Sequence, residues 1–374
     1  MTENPFITTG YAGEKYFCDR KNETADIIRL LTNGNNLALI SPRRYGKTDL
    51  IRHCFAQDEI KNNYYTFIVD IYTAKSYQEM VSLMGKSILE ELKPKGRVVW
   101  ENFLNALSSI RPGITYDMQG MPTWTVEFDA VSNPTVTLDE IFKYLQSADK
   151  PCLVAIDEFQ QITKFEKDNV EAMLRTKVQY CSNARFVFSG SQRHLMSSIF
   201  NSPARPFYQS VTNYSLDVIP LDKYTEFCLN MFKINGKEIF AEIVEDVYNK
   251  FEGITYYLQR IMNELFSMTD ANDNCSADNV DRAIQNIIKY SANIYEDLLY
   301  QLPQKQTQVL KAIALEGKAK NLTSGKFSKK YGLLSPSSVK AAVPILLERG
   351  LITHSNGVYE IYDKFLAIWL EKTR

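Results

Sequence analysis

Two short stretches combine residue types whose spacing can do chemistry. The first runs from Leu37 to Ile51, LALISPRRYGKTDLI. An apolar run ends in Ser-Pro, a tight loop follows, and Gly46-Lys47-Thr48 opens an amphipathic segment. That is the strand, loop and helix N-terminus a phosphate-binding loop needs. Backbone N–H groups of the loop and first turn point at one spot, and the helix dipole favours an anion there. Lys47 can reach β- and γ-phosphates, and the Thr48 hydroxyl can ligate Mg²⁺. Ser41 stands where the pattern G-x-x-x-x-G-K-[ST] has its first Gly, one small residue for another. The candidate nucleotide contacts are Ser41, Pro42, Arg43, Arg44, Tyr45, Gly46, Lys47, Thr48 and Asp49.

The second stretch is Cys152 to Phe159, CLVAIDEF, an apolar run ending in two adjacent carboxylates. On a buried parallel strand the carboxyl end faces the ligand crevice. Asp157 is expected to hold Mg²⁺, directly or through water, and Glu158 to polarise an attacking water. Three weaker signals follow. RFVFS, closed by Gly190-Ser191-Gln192, reads as a strand whose tip lies between the loop and the Asp157 strand. Ser189, Ser191 or Gln192 could there touch a γ-phosphate or the water. Arg205, in NSPARPFY, sits on an irregular loop and can stabilise γ-phosphate charge in its own chain or, in an oligomer, in a neighbour's; a solvated loop residue is the plain alternative. Arg260 could approach from a helical lid, with a surface arginine the preferred reading. Phe6 and Phe17 lie upstream of the loop, where they either meet an adenine ring or cap the core.

These groups need a scaffold, and the chain supplies a rhythm of strands and helices. NETADIIRLLTNG reads as a helix closed by Asn33-Gly34. YYTFIVDI reads as a strand buried on both faces. Ser76–Glu79 and Thr137–Glu140 read as capping boxes opening helices. Asp168-Asn169-Val170-Glu171 opens another helix, and Tyr214–Ile219 reads as the last core strand. Residues 94–135 break the rhythm, with an expected β-hairpin insertion at 114–128 around Gly120. The repeated alternation predicts an α/β fold, a P-loop NTPase core with a parallel sheet, over 1–220. From Leu221 the pattern turns wholly helical, giving an all-α lid over 221–300. Residues 301–374 read as three helices and a hairpin with an Asn-Gly turn, a winged-helix arrangement.

The whole chain carries a formal net charge of −1, which favours neither nucleic acid nor its absence. The charge is unevenly placed. Gln301 to Arg374 holds 12 Lys/Arg against 5 Asp/Glu, a net of +7, leaving −8 for the remainder. That asymmetry suits a phosphate backbone beneath the third helix, with Ser337, Ser338 and Lys340 on it and Lys326, Lys329 and Lys330 before it as candidate contacts. The alternative is a basic module packed on the acidic remainder of its own chain. Six scattered cysteines without a C-x-x-C pair predict buried thiols and a reducing, cytoplasmic setting. Three isolated histidines argue against a structural zinc site. No signal peptide or membrane span is expected from the polar N-terminus.

As a set, SPRRYGKT, LVAIDEFQQI, FVFSGSQ, SPARPFY, FEGITYYL and the terminal VYEIYDKFLAIWL resemble the archaeal-type AAA+ ATPases, a family grouped with the STAND signalling ATPases and related to origin-recognition ATPases. The most specific part is Tyr359–Trp369, where the family has a Tyr-x-Ile-x-Asp run into an aromatic helix. The resemblance spans essentially the whole chain. It implies a five-stranded core, a helical lid and a winged helix, with ATP and Mg²⁺ served by Lys47, Thr48, Asp157 and Glu158. Some relatives continue into a nuclease-like domain; with the sequence ending at Arg374, nuclease activity is expected to need another polypeptide. The leading expectation is an ATP-hydrolysing switch that repositions a winged helix. A DNA-binding regulator or loader using ATP as a conformational ligand is the second. A protein-binding adaptor using the hairpin at 114–128 is the third.

Overall fold

A computed structural model describes residues 4–109, 113–124, 131, 133–165 and 169–373. The contacts separate two compact units: the described residues of Ile7–Tyr224 with Gly253–Tyr256, and those of Met1–Phe6, Thr225–Glu252 and Tyr257–Arg374.

The first unit begins with α1 (Lys21–Thr32), β1 (Leu37–Ile40), α2 (Lys47–Ala56), the short α3 (Asp58–Asn63) and β2 (Tyr65–Asp70). It continues through α4 (Tyr77–Leu92), α5 (Arg97–Ala106), β3 (Ile114–Tyr116), β4 (Pro122–Trp124) and α6 (Pro134–Ser147). Then come β5 (Cys152–Asp157), α7 (Val170–Tyr180), β6 (Ala184–Gly190), α8 (Arg193–Asn201) and β7 (Thr212–Ser215). Five strands form one sheet in the order β2-β5-β6-β1-β7. All its pairings are parallel. Side chains alternate between two apolar layers, as the period of two requires. Val154, Ile156, Phe186 and Phe188 enter the larger core, while Leu153, Ala155 and Val187 enter the smaller one with Leu50, Ile51 and Cys54 of α2. Every residue of β5 is buried.

The segment that breaks the strand–helix rhythm holds α5 and an antiparallel hairpin pairing Ile114 with Trp124. Residues 125–128 of the expected hairpin, and Asp168, lie outside the described residues. Trp124 is buried against α4 at Gly85, where an added Cβ would lie 2.2 Å from the indole. Tyr116, on the same face of the hairpin by register, and Met118 in its turn are exposed. One expected cap is corrected. Helix α6 starts at Pro134 with Asn133 as its cap, so Thr137–Glu140 is no capping box. Glu140 is buried, and both its oxygens accept from Ser109 N–H at 3.2 and 3.1 Å, with the Ser108 and Ser109 hydroxyls adding to the set. Burial alone would raise its pKa; these bonds outweigh that and hold it below the usual range.

The second unit contains most of α9 (Leu221–Ile234), α10 (Ala241–Lys250), nearly all of α11 (Thr255–Met268) and α12 (Asp278–Tyr300). It ends in α13 (Gln304–Glu316), β8 (Ala319–Lys320), α14 (Gly325–Lys330), α15 (Pro336–Glu348), β9 (Ile352–Ser355), β10 (Val358–Ile361) and α16 (Lys364–Lys372). Strand β10 sits between β8 and β9, all antiparallel, so the wing has a third strand beyond the expected hairpin. Its turn puts both Asn356 and Gly357 at positive φ, as a two-residue hairpin turn demands.

The Tyr359–Trp369 run has a physical role in this unit. Asp363 caps α16 by accepting from the N–H groups of Phe365 and Leu366. Phe365 packs on Phe251 and Tyr257 of the helical segment, and Trp369 on Tyr295 of α12. The Tyr257 hydroxyl donates to the Tyr362 carbonyl at 3.1 Å and accepts from Lys364 N–H at 3.0 Å. Glu252 bridges Lys318 and Lys364 at 2.8 and 2.6 Å. Burial would raise the Glu252 pKa, but these two lysines bring it below the ordinary value. Helical segment and winged helix are thus docked on one another within one unit. Among the described residues, no helix is long and apolar enough to cross a membrane.

Candidate nucleotide-binding site

Strand register decides which side chains meet. Ile40 pairs with Gly190 on one side and Ser215 on the other, and Asp157 pairs with Asp70. The carboxyl ends of β1, β2, β5 and β6 therefore share one edge of the sheet, where open α/β folds bind ligands. Beneath it, Phe159, Phe188, Phe200 and Phe207 form a ring cluster with centroid spacings of 4.5–5.7 Å. This cluster fixes β6, α8 and the turn after β5 against one another.

Between Ile40 and α2 the chain makes its loop. Ser41 is fully buried, so a small residue is required there. Arg44 and Gly46 have φ of 73° and 84°. Glycine tolerates this region, whereas at Arg44 it costs about 1 kcal/mol. Arg44 is secured by Tyr256, whose N–H donates to the Arg44 carbonyl at 3.1 Å and whose ring lies 4.8 Å from the guanidinium. Lys47 is 6% exposed, and its ammonium donates to the Ser41 and Pro42 carbonyls, both at 2.9 Å. Burial lowers its pKa to about 8, against the opposing pull of Asp157 and Glu158 and with help from Arg43 and Arg193.

Thr48, in the first turn of α2, donates its hydroxyl to Asp157 Oδ2 at 2.5 Å. The two predicted metal ligands are therefore brought together. Both are hard oxygen donors, the set that suits Mg²⁺ rather than a softer ion. Among the described residues no cluster of three metal-ligating side chains occurs, so a cation here would complete its shell with phosphate and water oxygens. Asp157 Oδ1 also accepts Glu158 N–H at 2.9 Å. Glu158 has φ 53°, a conformation costly for a non-glycine residue.

The Glu158 carboxylate is tethered from two sides. Ser191 donates to Oε2 at 2.8 Å, and the Gln160 amide donates to the same oxygen. Ser191 in turn accepts from Arg43 Nε at 3.3 Å, so an arginine of the loop is joined through one serine to the carboxylate. Of the three expected tip residues, Ser191 enters the network. Ser189 is fully buried with no partner on its hydroxyl. Sequence reasoning missed Gln160 and Asp70. Gln160 follows Glu158 by two residues in DEFQ, and the only available signal was that proximity. Asp70 ends an apolar strand, as Asp157 does. Burial raises its pKa, and Asp157 and Glu158 add to the rise. Burial likewise raises the Asp49 pKa, with Asp157 adding and Arg52 opposing.

Other candidates stand apart from this network. Arg205 forms an ion pair with Glu171 of α7. Arg260 lies on α11 in the second unit. Phe6 is fully buried among Phe227, Phe232 and Phe266 of the second unit and is unavailable to an adenine ring, which corrects one of its two expected roles. Phe17 stacks on His53 at 4.1 Å.

The lowered Lys47 pKa carries an expected result. A phosphate near the ammonium restores its proton, so anion binding above pH 8 takes up protons. Affinity for a nucleoside triphosphate is expected to fall by up to about tenfold per pH unit between about 8 and the ordinary lysine value of 10.5. Calorimetry in buffers of different ionisation enthalpy checks this; binding at pH 9 without proton uptake would contradict it.

Comparison with known proteins agrees with this architecture. A family model described as "ATPase domain predominantly from Archaea" matches residues 17–261. A second, described as a probable winged helix domain, matches residues 293–372. No curated protein matches the chain. Among solved structures, the Walker-type ATPase of Pyrococcus abyssi is similar at TM-score 0.67 and 17% identity, over 98% of this chain and 99% of that one. The ORC2 protein of Aeropyrum pernix, in ADPNP–ADP complexes, is similar at TM-score 0.60 and 14% identity, over 99% and 96%. The ORC1 protein of Aeropyrum pernix in complex with DNA is similar at 0.53 and 12%, over 96% and 93%. At such identities the structures speak to the fold alone. The chain belongs to the family of ATPase domains found predominantly in Archaea, joined here to a C-terminal winged helix.

Proposed function

We propose that this chain is an ATP-hydrolysing switch in which the state of the phosphate loop is passed to the winged helix. The domains are read as a core over 1–220, a lid over 221–300 and a winged helix over 301–374. One observation carries the proposal. Tyr256 binds Arg44 of the loop through backbone and ring, while the next residue, Tyr257, holds Tyr362 and Lys364 of the winged-helix module. Residues 253–256 belong to the unit of the loop, whereas Glu252 and Tyr257 belong to the other. A change in the Arg44 backbone is therefore one covalent step from the docking contacts of the winged helix.

In this reading Lys47 leaves its two carbonyls for the more strongly charged β- and γ-phosphate oxygens. Mg²⁺, bound with the phosphates, would be held by Thr48 and Asp157 and would offset charge on the transferring group. Glu158 accepts a proton from the attacking water once it is free of Ser191 and Gln160. Arg43 and Ser191 contact the γ-phosphate side, which loosens the tether on Glu158 as nucleotide arrives. Arg205 keeps its proposed role of stabilising γ-phosphate charge only if its pair with Glu171 opens.

The first test is phosphate release from ATP by the purified chain, with and without duplex DNA, beside Lys47→Ala. Release that is lost in the variant supports the reading; equal release from both proteins would defeat it. Release raised by DNA would favour the second reading, a DNA-directed regulator. That reading is supported by the net +7 of residues 301–374 and by the exposed Lys326, Lys329 and Lys340. Two of the proposed contacts are already engaged. Ser338 closes the capping box of α15, and Lys330 pairs with Glu316 at 2.6 Å. If DNA lies on α15, Lys340→Glu lowers duplex affinity, and its salt dependence weakens by roughly one counterion. Equal salt slopes for both proteins would remove Lys340 from the contact.

A further inference from the structure

A cavity of about 450 Å³ lies at the opposite end of the sheet from the phosphate loop. It is bounded by Gly34 and Asn36 just ahead of β1, by the last turns of α7, by Arg185 at the start of β6, and by Phe207 and Ser210. Five strand steps separate Arg185 from Gly190, roughly 17 Å along β6, so this cavity is distinct from the nucleotide site. Its volume falls in the range of small-molecule sites.

The charge of the lining is one-sided. Arg175, whose Nη1 donates to Gln179 Oε1, and Arg185 line the cavity, and among the described residues no carboxylate does. Arg185 is tied down by one edge only: its Nη1 donates to the carbonyls of Ser182 and Ala184 at 3.0 and 2.6 Å. Its Nε is buried and has no hydrogen-bond partner. Nη2 and Nε lie 3.5 and 3.6 Å from where a side chain on Gly34 would begin. Gly34 has φ +87°, so the turn selects glycine and leaves that edge of the guanidinium uncovered by a side chain at this position. A buried donor without a partner calls for an acceptor, and the Nε–Nη2 edge of an arginine matches two oxygens of one carboxylate or phosphoryl group. The amides and hydroxyls of Asn36, Gln179, Ser182 and Ser210 add neutral polar groups around it.

We propose that this cavity binds a small anion, a phosphoryl- or carboxylate-bearing molecule, on the Nε edge of Arg185 with Arg175 as the second cation. Nothing in the assignment of the phosphate loop requires this site, and its test does not depend on ATP hydrolysis. The full-length Lys47→Ala chain, in which the loop lysine is removed, is titrated calorimetrically with pyrophosphate and separately with succinate. Saturable binding of at least one anion is expected. Arg185→Met in the same background should weaken it at least tenfold. Arg175→Gln, which disturbs no backbone carbonyl, should weaken it severalfold and serves if the Arg185 variant fails to fold. Binding of pyrophosphate alone assigns a phosphoryl ligand, and of succinate alone a carboxylate. The proposal is overturned if neither anion binds saturably, or if binding survives both arginine substitutions unchanged.

Discussion

Glu158→Gln is expected to lower phosphate release from ATP by 10²- to 10⁴-fold, the range that a positioned general base supplies, while leaving ATP binding intact. The amide keeps the size of the carboxylate and can still accept from Ser191 and Gln160, which both reach Glu158 Oε2. It loses the negative charge that, in the proposed mechanism, takes the proton from water. In the proposed function nucleotide affinity rests on Lys47, Thr48 and the loop N–H groups, none of which the substitution touches. Equilibrium binding of a fluorescent ATP analogue, read beside single-turnover phosphate release, separates the two. Unchanged release would remove Glu158 from the chemistry. The tether itself is open to the same pair of assays. Gln160→Leu takes away one donor without adding charge, and its effect belongs in the turnover number and not in ATP affinity.

A second large effect is expected far from the loop. Phe365 is buried, with its ring 5.4 Å from Phe251 and 5.3 Å from Tyr257. Truncation to alanine removes most of this aromatic contact and should cost about 3–5 kcal/mol in the stability of the unit that holds the winged helix. Two compact units allow two melting transitions, so the loss should appear in one of them by calorimetry. ATP turnover should persist, because the loop, Asp157 and Glu158 lie in the other unit. Tyr257→Phe is the milder companion. It removes the hydroxyl between Tyr362 and Lys364 and should cost about 1–3 kcal/mol. A Phe365→Ala protein that melts like the parent would show that the winged helix is not docked on the helical segment through this ring.

The geometry of the loop was legible because it is local. Leu37 to Thr48 and Cys152 to Glu158 each carry their strand, their turn and their polar tip in one continuous run, and the five parallel strands follow from the same alternation. The winged helix was legible for a similar reason: Ser335, Gly350 and Asn356-Gly357 mark its helix start, helix end and turn. What stayed hidden depends on partners distant in sequence. Glu140 looked like the end of a capping box, yet its burial against Ser108 and Ser109 turns it into the acceptor for a distant turn. Phe6 precedes the loop in sequence but packs in the second unit with Phe227, Phe232 and Phe266. Helix α5 was missed because its apolar residues Trp100, Phe103 and Leu104 sit in a segment read as irregular. Strand β8 has two residues, too few for any period to show. Gln160 belongs to the site only because the left-handed turn at Glu158 brings its amide back to the carboxylate.

The central claim is that nucleotide state at the loop moves the winged helix through the segment around Tyr256 and Tyr257. Its most direct test is the distance between two spin labels, on cysteines introduced at the exposed Asn62 and Glu348. The six native cysteines are buried, which favours selective labelling. The distance distribution is measured without nucleotide, with ADP, and with ATP bound to the Glu158→Gln chain. A shift between the ADP and ATP states, absent from the Lys47→Ala chain, is the expected result. One unchanged distribution in all three states, with ATP binding verified, would contradict the switch.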